Sequence, residues 1–509
     1  MTEPGATLSS PAALPGTRTV SLGRELTDFW GGHRAPLSTG MLLAFVVTGV
    51  VGGGLLVGNR LGLGAAVVGL LVWAPAVRPL LRRRAAGDLV TAALSTSLLG
   101  VVAVRDAGWV VALCVAAAAG LGAVAATSAR TAPAVLLSPF SWAAGAVRAS
   151  RWVGSGAGTL AGSRRTQVLL AARSVGVTIA LLLVFGLLFA SADQVFASYL
   201  PEVHLDFLPA QVAVGALVAL ATATVTQLVL APAPWSGVAL PAGRPARLGE
   251  WLLPVLALDA MVVAFVALQV GALLGGHRHV LDTVGLSYAE YARQGFAQLV
   301  AATALTLVVV AVAARHAPRS TGRDRLLTGA SLAVLCMATL GVVASALRRM
   351  DLYIEAFGLT RLRLFVQVVE VLLAVILVLV LISGLRWRTR WLPRAVVQVM
   401  AVAMLGLAAI NPDAQIARHN TAAESGAPLD FSYVQGLSAD AVPALDQLDE
   451  PLRSCLLALA DVGPADGLAG WNLGRERALR VLDARAVIRP ETGWPCESSA
   501  SASSLPGAS

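Results

Sequence analysis

Residues 364 to 384 read LFVQVVEVLLAVILVLVLISG, twenty-one positions with Glu370 as their only charge. At a rise of about 1.5 Å per residue, a helix of that length covers the roughly 30 Å hydrocarbon core of a bilayer. In lipid, only a helix satisfies its own backbone hydrogen bonds over such a run, so the stretch predicts a membrane span. Working outward, comparable runs lie at 41–58, 61–77, 88–104, 107–127, 174–192, 209–230, 251–274, 296–314, 326–347 and 395–410, which makes eleven in all. The expected fold is an all-α, polytopic transmembrane helical bundle of about eleven spans.

Composition agrees with this reading. Of 509 residues, 57% are hydrophobic and 13% charged, against about 45–50% and about 25% in soluble domains. All 38 basic residues are arginine, and the formal net charge is +9. Such a balance suggests nucleic acid only when it forms a basic face on a soluble module. Here the arginines fall between apolar runs, so topology explains them and no nucleic-acid partner is expected. With the N-terminus inside, the inner segments hold 23 arginines and the outer loops eight, the bias expected of cytoplasmic loops. The expected site is therefore the plasma membrane, with the N-terminus cytoplasmic and the C-terminus extracytoplasmic. The bilayer is then an obligate partner, with an envelope or membrane protein as a further candidate.

The domain reading is a disordered cytoplasmic tail at 1–40, a transmembrane domain at 41–410, an acidic helical tail at 411–497 and a disordered end at 498–509. The first apolar run starts too late for a secretory signal. The longest inner loop, 128–173, contains Pro139-Phe140-Ser141-Trp142 and then Arg148, Arg151 and Trp152, which suggests a short helix in the headgroup layer. Residues 411–509 carry about −6 and the rest about +15, counted from 13 acids and 7 arginines in the tail. Asp440 is expected to cap a helix with a stripe at Val442, Leu445, Leu448, Leu452, Leu456 and Leu459, and a second stripe runs through Leu473, Ala478, Leu479 and Leu482. Cys455 and Cys496 form either a disulfide of an oxidising compartment or two free thiols. Cys114 and Cys336 read as small apolar residues of spans.

Polar residues gather in segments expected outside. They are Asp193 with Glu202, His204 and Asp206; Tyr288, Glu290, Tyr291 and Arg293; Arg349, Asp351, Tyr353 and Glu355; and Asn411, Asp413 and Arg418. Each has a plain alternative. The Glu202, His204 and Asp206 trio lacks a fourth ligand, and His277 and His279 lack the HExxH helix of a zinc site, so no metal and no cofactor is assigned. The tyrosines suit an interfacial aromatic belt, and Arg348 and Arg349 suit pairing with Asp351 and Glu355 at helical spacing. Asp259 and Glu370 lie within spans, about 9 Å apart in depth, where ionisable groups are functional candidates. Gln227, Gln269, Gln298, Gln367 and Gln398 suit interhelical hydrogen bonds. No P-loop, GxSxG elbow or kinase signature is present, which lowers the case for an enzyme.

Several of these segments carry a family resemblance. They are Phe189 to Asp193, Gly285 to Phe296, Arg349 to Tyr353 with Gly358-Leu359-Thr360, Asn411 to Ala414 with Arg418, Leu437 to Pro443, and Trp471 to Arg475. Together they resemble an uncharacterised bacterial polytopic membrane family, the domains of unknown function numbered 4153 and 4173, over about 170 to 490. The resemblance implies membrane class and architecture and brings no activity. The leading expectation is a multi-pass protein with an extracytoplasmic polar surface for signalling, envelope upkeep or partner docking. The alternatives are a secondary transporter using Asp259 and Glu370, and a membrane enzyme acting on a lipid-linked envelope substrate.

Overall fold

The computed structural model describes residues 36–192, 207–232, 248–274, 296–316, 321–385, 389–422 and 429–488, and every regular element among them is helical. Four helices come first: α1 (Thr39–Leu56), α2 (Leu63–Arg82), α3 (Ala86–Gly100, extended by a 3-10 turn to Ala103) and α4 (Gly108–Thr127). The short α5 (Ala132–Leu137) leads into α6 (Ser141–Ala192), followed by α7 (Leu208–Leu230), α8 (Leu248–Leu274), α9 (Phe296–His316), α10 (Gly322–Phe357), α11 (Arg361–Leu385) and α12 (Leu392–Ala409). Among the described residues, ten helices are long and apolar enough to cross a membrane. The remaining expected span, 174–192, is the C-terminal part of α6. The chain is a multi-pass membrane protein.

Two helices outrun their expected limits. Residues 141–173, expected within a loop, belong to α6, which runs unbroken for 52 residues. The sequence has no proline between Pro139 and Pro201, and its glycines each weaken a helix by only about 1 kcal/mol, whereas a proline would break it. Trp152 is accordingly not a headgroup-layer ring. It is buried with Leu37, Phe45, Ala149 and Ala223, its ring edge-on to Phe45 at 6.0 Å. Likewise Arg348 to Phe357, expected as a loop, continue α10 until Gly358, whose φ of 76° stops the helix.

The spans pack in two groups. In the first, α1 and α7 approach at backbone distance. A Cβ on Gly49 would sit 2.7 Å from the Gly215 carbonyl, and one on Gly53 would collide with the Gln211 carbonyl. Small residues four apart permit this closeness, and without a hydrophobic driving force in lipid the packing itself is the attraction. The second group, α8 to α11, surrounds Trp251, Leu335, Cys336 and Leu377. α12 joins the two, packing on α11 and, through Ala401 and Ala408, on Leu98, Val110 and Cys114.

Beyond α12 lie α13 (Pro412–Thr421), α14 (Phe431–Gln435), α15 (Val442–Leu445), α16 (Leu452–Leu457) and α17 (Leu473–Ala484). The tail is helical as expected, but the stripe from Val442 to Leu459 is two short helices rather than one. Most of it points inward, with Val442, Leu445 and Leu456 sharing a core with Ala414, Val434 and Ala478, while Leu459 is exposed.

Gly53→Leu should lower the stability of the purified protein by about 2 kcal/mol or more through overpacking. Gly54→Leu, where an added Cβ meets nothing within 4 Å, should leave the thermal unfolding midpoint in detergent unchanged.

Candidate functional site

A helix leaves its first N–H and last C=O groups without partners. At the end of the bundle where the tail folds, the tail supplies many of those partners. Asp440, expected to cap its own helix, instead accepts hydrogen bonds through Oδ2 from the backbone N–H groups of Asp106 (2.7 Å) and Ala107 (2.9 Å), capping α4. Arg105 does the converse for α12, donating to the carbonyls of Ala408 (2.6 Å) and Ala409 (3.1 Å). Each charge faces the helix pole that favours it. Burial pushes the Asp440 carboxyl above its ordinary range despite those two donors and Arg105, whose Nη1 is 3.8 Å from Oδ1.

Asp413 forms a second latch. Pro412 at the first helical position and Asn411, in the left-handed region at φ 54°, start α13 and turn Asp413 inward. Its carboxylate accepts both arms of Arg361 (3.1 and 2.7 Å), the Trp109 indole N–H (3.1 Å) and the Ser438 N–H (2.9 Å). Burial acts to raise this carboxyl, but Arg361, Ser438 and Trp109 together hold it below the usual carboxylate range. The Arg361 N–H, at the start of α11, donates to the Tyr433 hydroxyl at 2.7 Å.

A third latch joins the tail to α2 and to the turn before α4. Buried Arg475 donates to Asp106 (2.7 Å), Asp466 (2.5 Å), and the carbonyls of Leu61 and Gly470. Asn472 caps α17 with its oxygen while its amide nitrogen donates to the carbonyls of Val102 and Arg105, each at 2.9 Å. The Leu63 and Gly64 N–H groups, at the start of α2, donate to the carbonyls of Trp471 and Ala469.

Between the first two latches lies a partly open pocket of about 190 Å³. Helical spacing brings Asn411, Ala414 and Arg418 to it from α13, Asp440, Pro443, Ala444 and Gln447 from around α15, and Gly474 and Arg477 from α17, with Arg105 at its edge. Arg418 and Arg477 are exposed and make no hydrogen bond or ion pair among the described residues. Burial lowers the Arg105 guanidinium, and Arg477 lowers it further against the pull of Asp440.

A protein-family model, the domain of unknown function DUF4153, matches residues 93–448. The chain belongs to that family. No curated protein and no solved structure matches it. The family region begins earlier than the resemblance drawn from sequence, taking in all of α4. It ends before Trp471, so it contains Arg105, Asp413, Arg418 and Asp440 but not Arg475 or Arg477.

Of the residues singled out by sequence, Asn411, Asp413 and Arg418 come together at this site. Arg349, Asp351, Tyr353 and Glu355 instead lie on the last turns of α10. There Asp351 accepts from Gln367 at 2.9 Å, and the Arg363 guanidinium sits 4.2 Å from the Tyr353 ring centroid. Asp193, Glu202, His204, Asp206, Tyr288, Glu290, Tyr291, Arg293 and Cys496 lie outside the described residues. Cys455 is disulfide-bonded and buried. Asp259 and Glu370 are buried on α8 and α11, and none of their carboxyl oxygens has a hydrogen-bond partner among the described residues. Gln398 donates to Thr91 across helices, and Gln269 accepts from Ser345, as glutamines in spans were expected to do.

Sequence reasoning missed the roles of Arg105, Asp106 and Arg475, which each have partners hundreds of positions away. It also missed a cluster at the opposite end, where Asp88 pairs with Arg394 (2.5 Å) and accepts from Ser128, while Arg83 donates to Ser128 and to carbonyls ending α4 and α7. The available signal was an acid, Asp88, at the start of a span that carries no other charge.

Asp413→Asn should destabilise the protein by about 3 kcal/mol, because it leaves Arg361 half-buried without its counter-charge. Since the folded carboxyl titrates below its unfolded value of about 3.9, the latch contributes fully above that pH and is lost as pH falls through the folded value. Thermal melts of the wild type between pH 3 and pH 7 should show this loss, and Asp413→Asn should flatten it.

Proposed function

We propose that the protein sits in the plasma membrane with its tail facing outward and acts there as a recognition unit, relaying a signal, an envelope component or a docking protein to the span ends. The observation that carries this reading is the wiring of the tail. Buried polar contacts tie it directly to the ends of α2, α4, α11 and α12, so a ligand that shifts the tail must disturb those contacts. The arginine bias supports the orientation, since the opposite end holds Arg78, Arg82, Arg83, Arg84, Arg130, Arg148 and Arg394.

A second reading, secondary transport, draws on Asp259 and Glu370, whose buried, unpartnered carboxyls are costly within a membrane. Recognition is favoured because the tail end carries a pocket lined by arginines of two tail helices. The carboxylates at the tail end, Asp106, Asp413, Asp440 and Asp466, each accept hydrogen bonds from donors of the latches, which argues against hydrolytic chemistry there.

Leu468, 86% exposed, offers a test of orientation. Leu468→Cys should react with a membrane-impermeant maleimide in intact cells, and labelling only after permeabilisation would end the outward reading. Asp259→Cys and Glu370→Cys should resist small water-soluble thiol reagents. Rapid modification of both would reveal an aqueous path and favour transport instead.

A further inference from the structure

Three arginines, Arg105, Arg418 and Arg477, line the pocket together with one acid, Asp440. Oδ2 of Asp440 is committed to two backbone N–H groups, and its Oδ1 faces Arg105. Arg105 is itself committed to the carbonyls of Ala408 and Ala409. The pocket therefore keeps a surplus of about two positive charges, carried by Arg418 and Arg477. These two line it from different helices, α13 and α17, and neither has an acidic partner among the described residues. Other arginines of the tail are paired: Arg453 with Asp446 and Glu450, Arg475 with Asp106 and Asp466, Arg480 with Glu476, and Arg485 with Glu450. Like charges brought together from separate elements raise the energy of the fold unless an anion joins them.

We infer that this pocket binds a phosphoryl group, gripped by Arg418 and Arg477 and backed by Gln447. A phosphoryl anion, doubly charged as free phosphate and singly charged as a phosphodiester headgroup, offsets all or half of the surplus, and its tetrahedral acceptor oxygens suit two guanidinium forks from different helices better than a planar carboxylate does. About 190 Å³ admits the group with a small substituent. Arg105 precedes α4 and Asn411 follows α12, so the pocket lies at the level where a bundle meets headgroups. Free phosphate and a phospholipid headgroup share this chemistry. The inference deepens the outward-recognition reading by naming what the tail recognises, and it rests on that reading only for the side from which the ligand comes.

The test is the thermal unfolding midpoint of the full-length protein in neutral detergent, titrated with inorganic phosphate and separately with phosphatidylglycerol at constant ionic strength. The midpoint should rise with at least one of the two. A rise with inorganic phosphate identifies a free-phosphate site, and a rise with phosphatidylglycerol alone identifies a headgroup site. In Arg418→Gln/Arg477→Gln the apparent affinity should fall about tenfold or more, as loss of two charged hydrogen bonds requires. Arg480→Gln, on the same α17 but outside the pocket, should bind as wild type. Arg418→Lys/Arg477→Lys, which keeps the charge, should retain more binding than the glutamine pair and guards against a folding defect. No rise with either ligand, an undiminished rise in the glutamine pair, or an equal loss in Arg480→Gln would overturn the site. Because the assay uses solubilised protein, it is independent of orientation, so the cysteine labelling and this titration can fail separately.

Discussion

The ends of the membrane helices set the terms for the rest of the structure. Within a span every N–H finds a carbonyl four residues back, but the first and last turns leave groups that lipid cannot solvate. At one end of this bundle the C-terminal tail supplies the partners. The Asp440 carboxylate takes the orphan donors before α4, the carbonyls of Trp471 and Ala469 take those opening α2, and the Tyr433 hydroxyl takes that of Arg361. The tail is thus part of the bundle's end rather than an appendage hung from it.

Charge is confined by the same requirement. Asp413, Asp440, Arg105 and Arg475 are all buried, and burying a charge is costly unless several hydrogen bonds meet it. Each is met by more than one such contact, and each links the tail to the spans or their ends. Removing any one group would strand its partners, so the contacts act as a unit. The opposite end solves its own version of the problem within the bundle, where Arg83, Asp88, Ser128 and Arg394 close α4 and α7 against one another. Among the described arginines of the tail, Arg418 and Arg477 stand out because no described acid answers them.

Much of the fold was legible. Ten of the eleven apolar runs fall on helices long and apolar enough to cross a membrane, because the length and apolarity demanded by a bilayer leave a strong local mark. The errors came where a helix continued past its apolar stretch. Nothing in the apolar pattern distinguishes a loop at 141–173 from the first half of α6, and only the absence of proline hinted at it. The polar tail was harder. Asp440 has the residue type and position of an N-cap, but it serves a helix more than 300 positions earlier in the chain. Asn411, Asp413 and Arg418 were noticed as polar residues at the end of a span, although their partners were not.

The sequence by itself determined a helical membrane protein, the positions of its spans, the opposite charges of body and tail, and membership in a family. Those features are set by local composition and by the bilayer acting uniformly on every segment. Only the tertiary structure decided that Arg361 meets Asp413, that Arg475 meets Asp106, and that Arg105, Arg418 and Arg477 share one pocket. Such pairings depend on which helix ends arrive side by side, and that follows from close packing at places such as Gly49 and Gly215, where the absence of a side chain lets two spans approach.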